Sequence, residues 1–75
     1  MERYRNIGGN SGIRLYEIGT DSIVIEFSDG GRYLYNYQRT GSANVERMKS
    51  LAVNGRGLNS FISTTIKKRY ASKLR

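Results

Sequence analysis

The stretch SIVIEFSDGGRYLYNY, residues 22–37, decides the fold of this 75-residue chain. Large side chains recur with a period of two on either side of its Ser-Asp-Gly-Gly sequence: Ile23, Ile25, Phe27, Tyr33, Tyr35 and Tyr37. That period places side chains on one face of a β-strand, and the intervening sequence is typical of a hairpin turn. The stretch therefore predicts two antiparallel strands, over residues 22–28 and 32–37.

The length of the hairpin loop determines which residues face each other. A three-residue loop over residues 29–31 would pair Phe27 with Tyr33 and keep the large side chains of both strands on one face. A two-residue loop would set Phe27 opposite Arg32 and split that face. We therefore predict the three-residue loop.

Elements on both sides of this hairpin complete the predicted fold. Residues 13–18 alternate loosely between apolar and polar and predict an earlier strand. Apolar residues at helical spacing predict one helix over residues 43–53, capped by Ser42, and a second from about residue 58 to residue 70 or beyond. Helices of this length need tertiary packing to be stable in water. We predict an α+β fold, a three-stranded antiparallel β-meander packed on one face by two C-terminal helices.

A chain of 75 residues is expected to form one domain. The glycine-rich sequence at residues 8–12 predicts a flexible N-terminal segment over residues 1–11 and a single domain over residues 12–75. The chain contains no cysteine and no histidine, so we expect no disulfide, metal or cofactor. Its longest apolar run is three residues, so we expect no signal peptide or membrane span and a cytoplasmic location.

The net charge of +7 is concentrated in the second half of the chain. Residues 1–41 carry five basic and five acidic side chains, whereas residues 42–75 carry eight basic ones and a single acidic one. This asymmetry favours a polyanionic partner. A solvated basic tail that keeps the protein in solution would explain the same composition.

The candidate binding residues lie on the predicted last helix and in the turn before it. The polar face of that helix carries hydroxyls and lysines, which suit phosphate oxygens. The turn over residues 54–57 offers Arg56 and backbone amides to an anion, although an ordinary helix–helix turn is the explanation that we favour for it. The predicted nucleic-acid-binding residues are Arg56, Lys67, Lys68, Arg69, Lys73 and Arg75, with Arg47 and Lys49 as flanking charge.

Other residue types argue against an active site. Without histidine or cysteine, the usual general base and thiolate nucleophile are absent. Glu17 and Glu26 are interpreted as strand residues facing solvent, so we expect no enzymatic activity. Tyr33 and Tyr35 share the predicted core face, and we interpret them as packing residues and not as platforms for nucleic-acid bases.

Three motifs in order carry a resemblance to a known family: Tyr33-Leu34-Tyr35 after a glycine-containing turn, the sequence GRGLNSFI at residues 55–62, and IKKRY at residues 66–70. In this order they resemble the KTSC domain, found at the C-terminus of some lysyl-tRNA synthetases and as free-standing bacterial proteins. The chain differs from the family pattern at residues 39–41, where members often carry Val-Pro, and at Leu58, where an aromatic is common. The resemblance implies RNA in preference to DNA.

The sequence thus supports two hypotheses. The first is a small non-enzymatic nucleic-acid-binding module that uses the basic C-terminal helix to bind RNA. The alternative is a module for protein interaction or self-association through an edge strand or the outer sheet face, where Val24 and Leu34 are expected to lie.

Overall fold

The computed structural model describes residues 1–9 and 11–75, and it shows an α+β fold with an antiparallel sheet. Its strands are β1 (Glu2–Arg3), β2 (Ile13–Ile18), β3 (Ser22–Phe27), β4 (Arg32–Asn36) and β5 (Ser72–Lys73). Its helices are α1 (Tyr37–Thr40), α2 (Ser42–Asn54) and α3 (Leu58–Phe61), and α3 runs directly into a π-helix (Ile62–Ile66). Over the described ranges the five strands lie in the order β1-β2-β3-β4-β5. Asn10, part of the predicted flexible segment 1–11, lies outside the described residues.

The three predicted strands correspond to β2, β3 and β4. The sheet, however, has five strands where a three-stranded meander is predicted. The additional strands β1 and β5 contain two residues each, which is too short for any period to show in the sequence. β1 pairs with β2 and β5 pairs with β4, so both outer edges of the predicted meander are covered.

The predicted register of the β3–β4 hairpin is wrong by two residues. Tyr33 pairs with Ile25, not with Phe27, and Phe27 donates its N–H to the Gly31 carbonyl over 2.8 Å. The loop has the predicted three residues, but they are residues 28–30, with Gly30 at a φ of 93°. A shift of two residues leaves the strand side chains as far as Asn36 on their predicted faces, because side chains alternate along a strand. Tyr37 is the exception, since it is predicted on the second strand but begins α1.

The predicted second helix ends earlier than its apolar pattern indicates. It comprises α3 and the π-helix and ends at Ile66, not at Tyr70. Lys67 has a φ of 53°, which stops the helix and reverses the chain. The following residues return to the sheet, where the Ala71 N–H donates to the Leu34 carbonyl over 2.7 Å and the next two residues form β5.

The core lies between the inner face of the sheet and the helices. Its buried apolar side chains come from both layers: Tyr4, Ile13, Ile23, Ile25, Tyr35, Val45, Met48, Ala52, Leu58, Ile62 and Ile66. The prediction that Tyr35 packs in the core is confirmed, since only 2% of it is exposed. Tyr4 fixes the N-terminal segment to the core, and its hydroxyl accepts a hydrogen bond from the Leu58 N–H at 3.4 Å.

The outer face of the sheet carries a buried carboxylate. Glu26 is 3% exposed, so its predicted solvent-facing position is wrong. Its Oε1 accepts from Arg32 Nε at 3.0 Å, and its Oε2 lies 3.4 Å from Arg14 Nη1. The long arginine stems cover the carboxylate while their charges neutralise it. The hydrogen bond from Arg32 holds the pKa of Glu26 below its ordinary value.

The C-terminal segment is attached to the rest of the fold by a second buried polar group. Thr40 is buried at the end of α1, and its hydroxyl donates to the Arg69 carbonyl over 2.6 Å. A side-chain donor thus satisfies a backbone carbonyl that lies just beyond the helix end.

Among residues 1–9 and 11–75, no helix has the length and apolar character needed to cross a membrane.

Replacing the buried carboxylate gives a test of the outer-face network. We expect Glu26→Gln to lower the urea midpoint at neutral pH, because Arg32 and Arg14 lose their counter-charge. The lowered pKa of Glu26 means that its contribution is present above the unfolded value of 4.5 and is lost as the pH falls through the folded value. The difference in midpoint between the two proteins should therefore shrink on acidification. An equal difference at every pH would contradict this account.

The contribution of Tyr35 to stability depends on pH in the opposite direction to that of Glu26. Burial raises the pKa of Tyr35 to about 12, and the neighbouring Tyr33 and Tyr70 add to the shift. Its unfolded pKa is near 10, so its contribution to stability is complete below pH 10 and is lost as the pH rises towards 12. We expect the urea midpoint to fall over that window more steeply in the wild type than in Tyr35→Phe. Identical pH profiles would show that Tyr35 ionises freely in the folded protein.

Candidate nucleic-acid interface

Two adjoining concavities at the hairpin end of the sheet bring four of the six predicted cations together. The first, which we call the aromatic groove, has a volume of about 430 Å³ and is lined by Gly12, Phe27, Ser28, Asp29, Tyr33, Tyr35, Ile62, Lys67, Lys68 and Tyr70. The second, which we call the tip concavity, is lined by Asp29, Gly30, Gly31, Tyr33, Lys73 and Arg75. Asp29 and Tyr33 line both, so the two concavities share one wall.

Aromatic rings form the wall of the aromatic groove. Tyr33 lies at the centre, with its ring 4.8 Å from that of Tyr70 and 5.6 Å from that of Phe27, measured between centroids. Tyr70 also contacts Tyr35 edge-on at 6.3 Å. Phe27, Tyr33 and Tyr70 are only half-buried. The interpretation of Tyr33 as a packing residue is thus correct in part, because its side chain packs against the core but is partly exposed and lines the groove.

Lys67 and Lys68 border this groove because the chain turns sharply there. Lys67 has φ 53° and ψ −119°, and the Arg69 N–H donates to the Ile66 carbonyl at 3.1 Å. These values describe a type II′ turn with Lys67 at its first central position. Glycine is the residue favoured at that position. A lysine with its backbone in this region is strained by about 1–3 kcal/mol.

The π-helix before this turn determines where the two lysines lie. The Lys67 N–H donates to the Ile62 carbonyl, five residues earlier, at 2.6 Å. This hydrogen bond spans five residues, one more than the hydrogen bond of an α-helix. Such π-helical turns are frequent at functional sites. The backbone strain and the π-helix both occur at the residues that border the aromatic groove.

Lys73 and Arg75 reach the tip concavity through the short strand β5. Lys73 pairs with Tyr33, and its Nζ lies 5.8 Å from the centre of the Tyr33 ring. This is a cation–π distance. Arg75 is held by main-chain hydrogen bonds to Arg32. The predicted helix would have carried both side chains away from the sheet, so their position beside Tyr33 could not be read from the sequence.

The remaining predicted cations lie outside these two concavities. Arg69 contributes its carbonyl to Thr40, and its side chain is exposed. Arg56 lines a separate concavity with Tyr4, Asn6 and Ser60. Of the flanking cations, Arg47 is exposed, whereas Lys49 contacts Glu46 at 2.8 Å and donates to the Thr20 carbonyl at 2.9 Å.

The turn that carries Arg56 is explained by chain geometry. The N–H groups of Gly55 and Arg56 both donate to the Leu51 carbonyl, and the Leu58 N–H donates to Tyr4. Gly55 ends α2 with a φ of 74°, and a Cβ there would lie 2.8 Å from the Arg5 Cβ. These amides already have acceptors within the chain, so the turn serves as a helix–helix connection.

The charges at the two concavities are unbalanced. Within the part of the chain that the structure describes, none of the six predicted cations forms an ion pair with a carboxylate. Asp29 is the only acidic residue among the described residues that line the two concavities, facing Lys67, Lys68, Lys73 and Arg75. Its Oδ1 accepts from the Gly31 N–H at 2.9 Å and so stabilises the hairpin loop. The local charge is positive, which suits an anionic ligand.

The strained turn makes a prediction that separates stability from binding. We expect Lys67→Gly to raise the free energy of unfolding by about 1 kcal/mol, because glycine adopts this backbone conformation without strain and only part of the gain is offset by its greater freedom when unfolded. The same change removes one cation from the aromatic groove and should weaken binding of an anionic ligand. Urea unfolding measures the first effect, with Lys68→Gly as control. A less stable Lys67→Gly protein would contradict the assignment of strain.

Comparison of the chain with protein-family models, curated proteins and solved structures found no match in any of the three. The resemblance to the KTSC domain therefore stays a prediction that rests on the three sequence motifs.

Proposed function

We propose that this domain binds nucleic acid through the surface formed by the aromatic groove and the tip concavity. The observation that carries the proposal is the position of four cations in two concavities that share Tyr33 as a lining residue: Lys67, Lys68, Lys73 and Arg75. Phosphate oxygens accept hydrogen bonds and need their charge neutralised, so they suit lysines and arginines without carboxylate partners. Arg56, Arg69 and Arg47 would add positive charge outside the two concavities.

The number of cations determines how binding should respond to salt. Four phosphate contacts give a slope of the logarithm of the binding constant against that of salt of about −2.8 for a single strand and about −3.6 for a duplex. A basic tail without a defined site would give a slope that does not depend on particular residues. The salt dependence of matched variants is therefore more informative than a single affinity.

RNA is our preferred polymer within this proposal. The preference comes from the resemblance to the KTSC domain and its occurrence with lysyl-tRNA synthetases. The cations themselves contact phosphates, which RNA and DNA share, so the proposal of nucleic-acid binding does not depend on this preference. Titrations with RNA and DNA of the same length compare the two directly.

A second candidate function is contact with a protein partner or a second copy of the chain. It is favoured by three exposed apolar side chains, Met1, Ile18 and Val53, which line one concavity near β1. The sheet edges favour it less, because β1 and β5 are very short and offer little backbone for pairing. Light scattering across a range of protein concentration and salt tests this candidate independently of nucleic acid.

Neutralising the lysines of the aromatic groove tests the primary proposal. We expect the double variant Lys67→Gln, Lys68→Gln to weaken binding of RNA about tenfold at low salt and to reduce the salt slope by about 1.4, because two phosphate contacts are lost. Fluorescence anisotropy of a labelled oligonucleotide measures both quantities.

The matched control is the double variant Arg3→Gln, Arg39→Gln, which removes the same net charge. Arg3 lies on β1 at the opposite edge of the sheet from Lys73, and Arg39 lies on α1. The control should keep most of the affinity. Equal losses in the two proteins would mean that only net charge matters, and absence of binding by the wild type at low salt would refute the proposal.

A further inference from the structure

We propose that the aromatic groove receives one unpaired nucleobase, so that the domain selects single-stranded over double-stranded nucleic acid. The inference rests on the proposed function and names the chemical group that the groove recognises. In this arrangement the base contacts the aromatic wall. The phosphates on its two sides then contact Lys67 and Lys68 at one end and Lys73 and Arg75 at the other.

The first support is the exposure of the aromatic wall. Aromatic side chains in the core of a small domain are normally covered, yet Phe27, Tyr33 and Tyr70 are half-buried around a common concavity. Its volume of about 430 Å³ falls within the range of small-ligand sites, about 300–1,000 Å³. A planar base can stack on exposed aromatic faces, and such stacking is a common mode of single-strand binding.

The second support is the position of the cations relative to the wall. Tyr33 lies between the two cation pairs, because it lines both concavities. A nucleotide strand that crosses Tyr33 would therefore meet positive charge before and after it. A base within a duplex has both faces covered by its neighbours and its edge paired, so only an unpaired or extruded base can enter.

The third support is Asp29, which would disfavour a phosphate at the centre of the site. Its carboxylate has lone pairs beyond the one that accepts from Gly31, so it can accept hydrogen bonds from N–H groups on the edge of a base. The site thus combines an acceptor suited to a base with cations suited to phosphates. An acidic peptide would supply anions but would place them against Asp29 and leave the aromatic wall without a planar partner.

The experiment compares oligonucleotides of about ten nucleotides, a length within the range that small single-strand-binding domains cover. Anisotropy titrations use single-stranded RNA, single-stranded DNA, a duplex of the same length and an abasic strand with the same phosphates. We expect the single strands to bind about tenfold more tightly than the abasic strand, because stacking of a base is lost in the latter. RNA and DNA arms show which sugar is preferred.

Tyr70→Leu tests the wall itself, with Tyr16→Leu on β2 as the matched control. We expect Tyr70→Leu to lower the affinity for normal single strands to that for the abasic strand. Tyr16→Leu should still bind normal single strands more tightly than the abasic strand. Should Tyr70→Leu fail to fold, Tyr70→Trp gives a second measurement. The chain has no tryptophan of its own, and the fluorescence of this residue should be quenched by normal strands but not by abasic ones.

The outcomes separate the two proposals. If no polymer binds, the proposed function and the inference both fail. If abasic and normal strands bind equally and Tyr70→Leu has no effect, phosphate binding stands and the nucleobase inference is wrong. Tighter binding of the duplex than of single strands would also overturn the inference, as would competition by an acidic peptide at the affinity of a single strand.

Discussion

The type II′ turn at Lys67 and Lys68 is the constraint on which the arrangement of the proposed binding surface depends. It ends the helical layer at Ile66 and sends the last residues back along β4. Without this reversal, a longer helix would project Lys73 and Arg75 into solvent, away from the two lysines of the turn. Two hydrogen bonds hold this turn in place. The Lys67 N–H donates to the Ile62 carbonyl in the π-helix, and the Thr40 hydroxyl donates to the Arg69 carbonyl. One local backbone conformation thereby determines which charges are neighbours.

The residue at this turn is unfavourable for the fold and favourable for a charged surface. Glycine would satisfy the backbone conformation of Lys67 without strain. A lysine there adds positive charge at the border of the aromatic groove. Strained residues persist where the surrounding structure over-determines them, and they cluster at functional sites. The π-helix, the strain and the aromatic groove coincide. For this reason we propose the site here and not at Arg56, where an ordinary helix cap explains the conformation.

The sequence predicted the elements that have a long, regular period. The strands Ile13–Ile18, Ser22–Phe27 and Arg32–Asn36 follow from alternation, and α2 follows from helical spacing. The predicted cap of α2 is wrong by one residue, because Ser42 is the first residue of the helix and Gly41 is its N-cap. β1 and β5 have no period to detect, and they form because β2 and β4 offer unpaired edges. The apolar spacing of residues 58–70 also fits a helix as far as Tyr70. In the structure Tyr70 lies beyond the end of the helix, and its ring packs on Tyr33 of β4. Lys67 and Lys68 were predictable from charge, but their proximity to Phe27 and Tyr33 depends on tertiary contacts.

The shortness of the helical layer explains why the sheet has an open end. The inner face carries Ile23, Ile25 and Tyr35 beneath the helices, where all three are buried. The same row of large side chains continues to Phe27 and Tyr33 at the hairpin end. The helices stop at Ile66, so they do not cover this end, and Tyr70 returns only far enough to form one wall. The aromatic groove is thus the uncovered end of the hydrophobic core, bordered by the basic residues that the reversal brings to it. Exposed aromatic surface at this end of the core costs stability. A planar ligand that covers the aromatic rings would recover part of that stability.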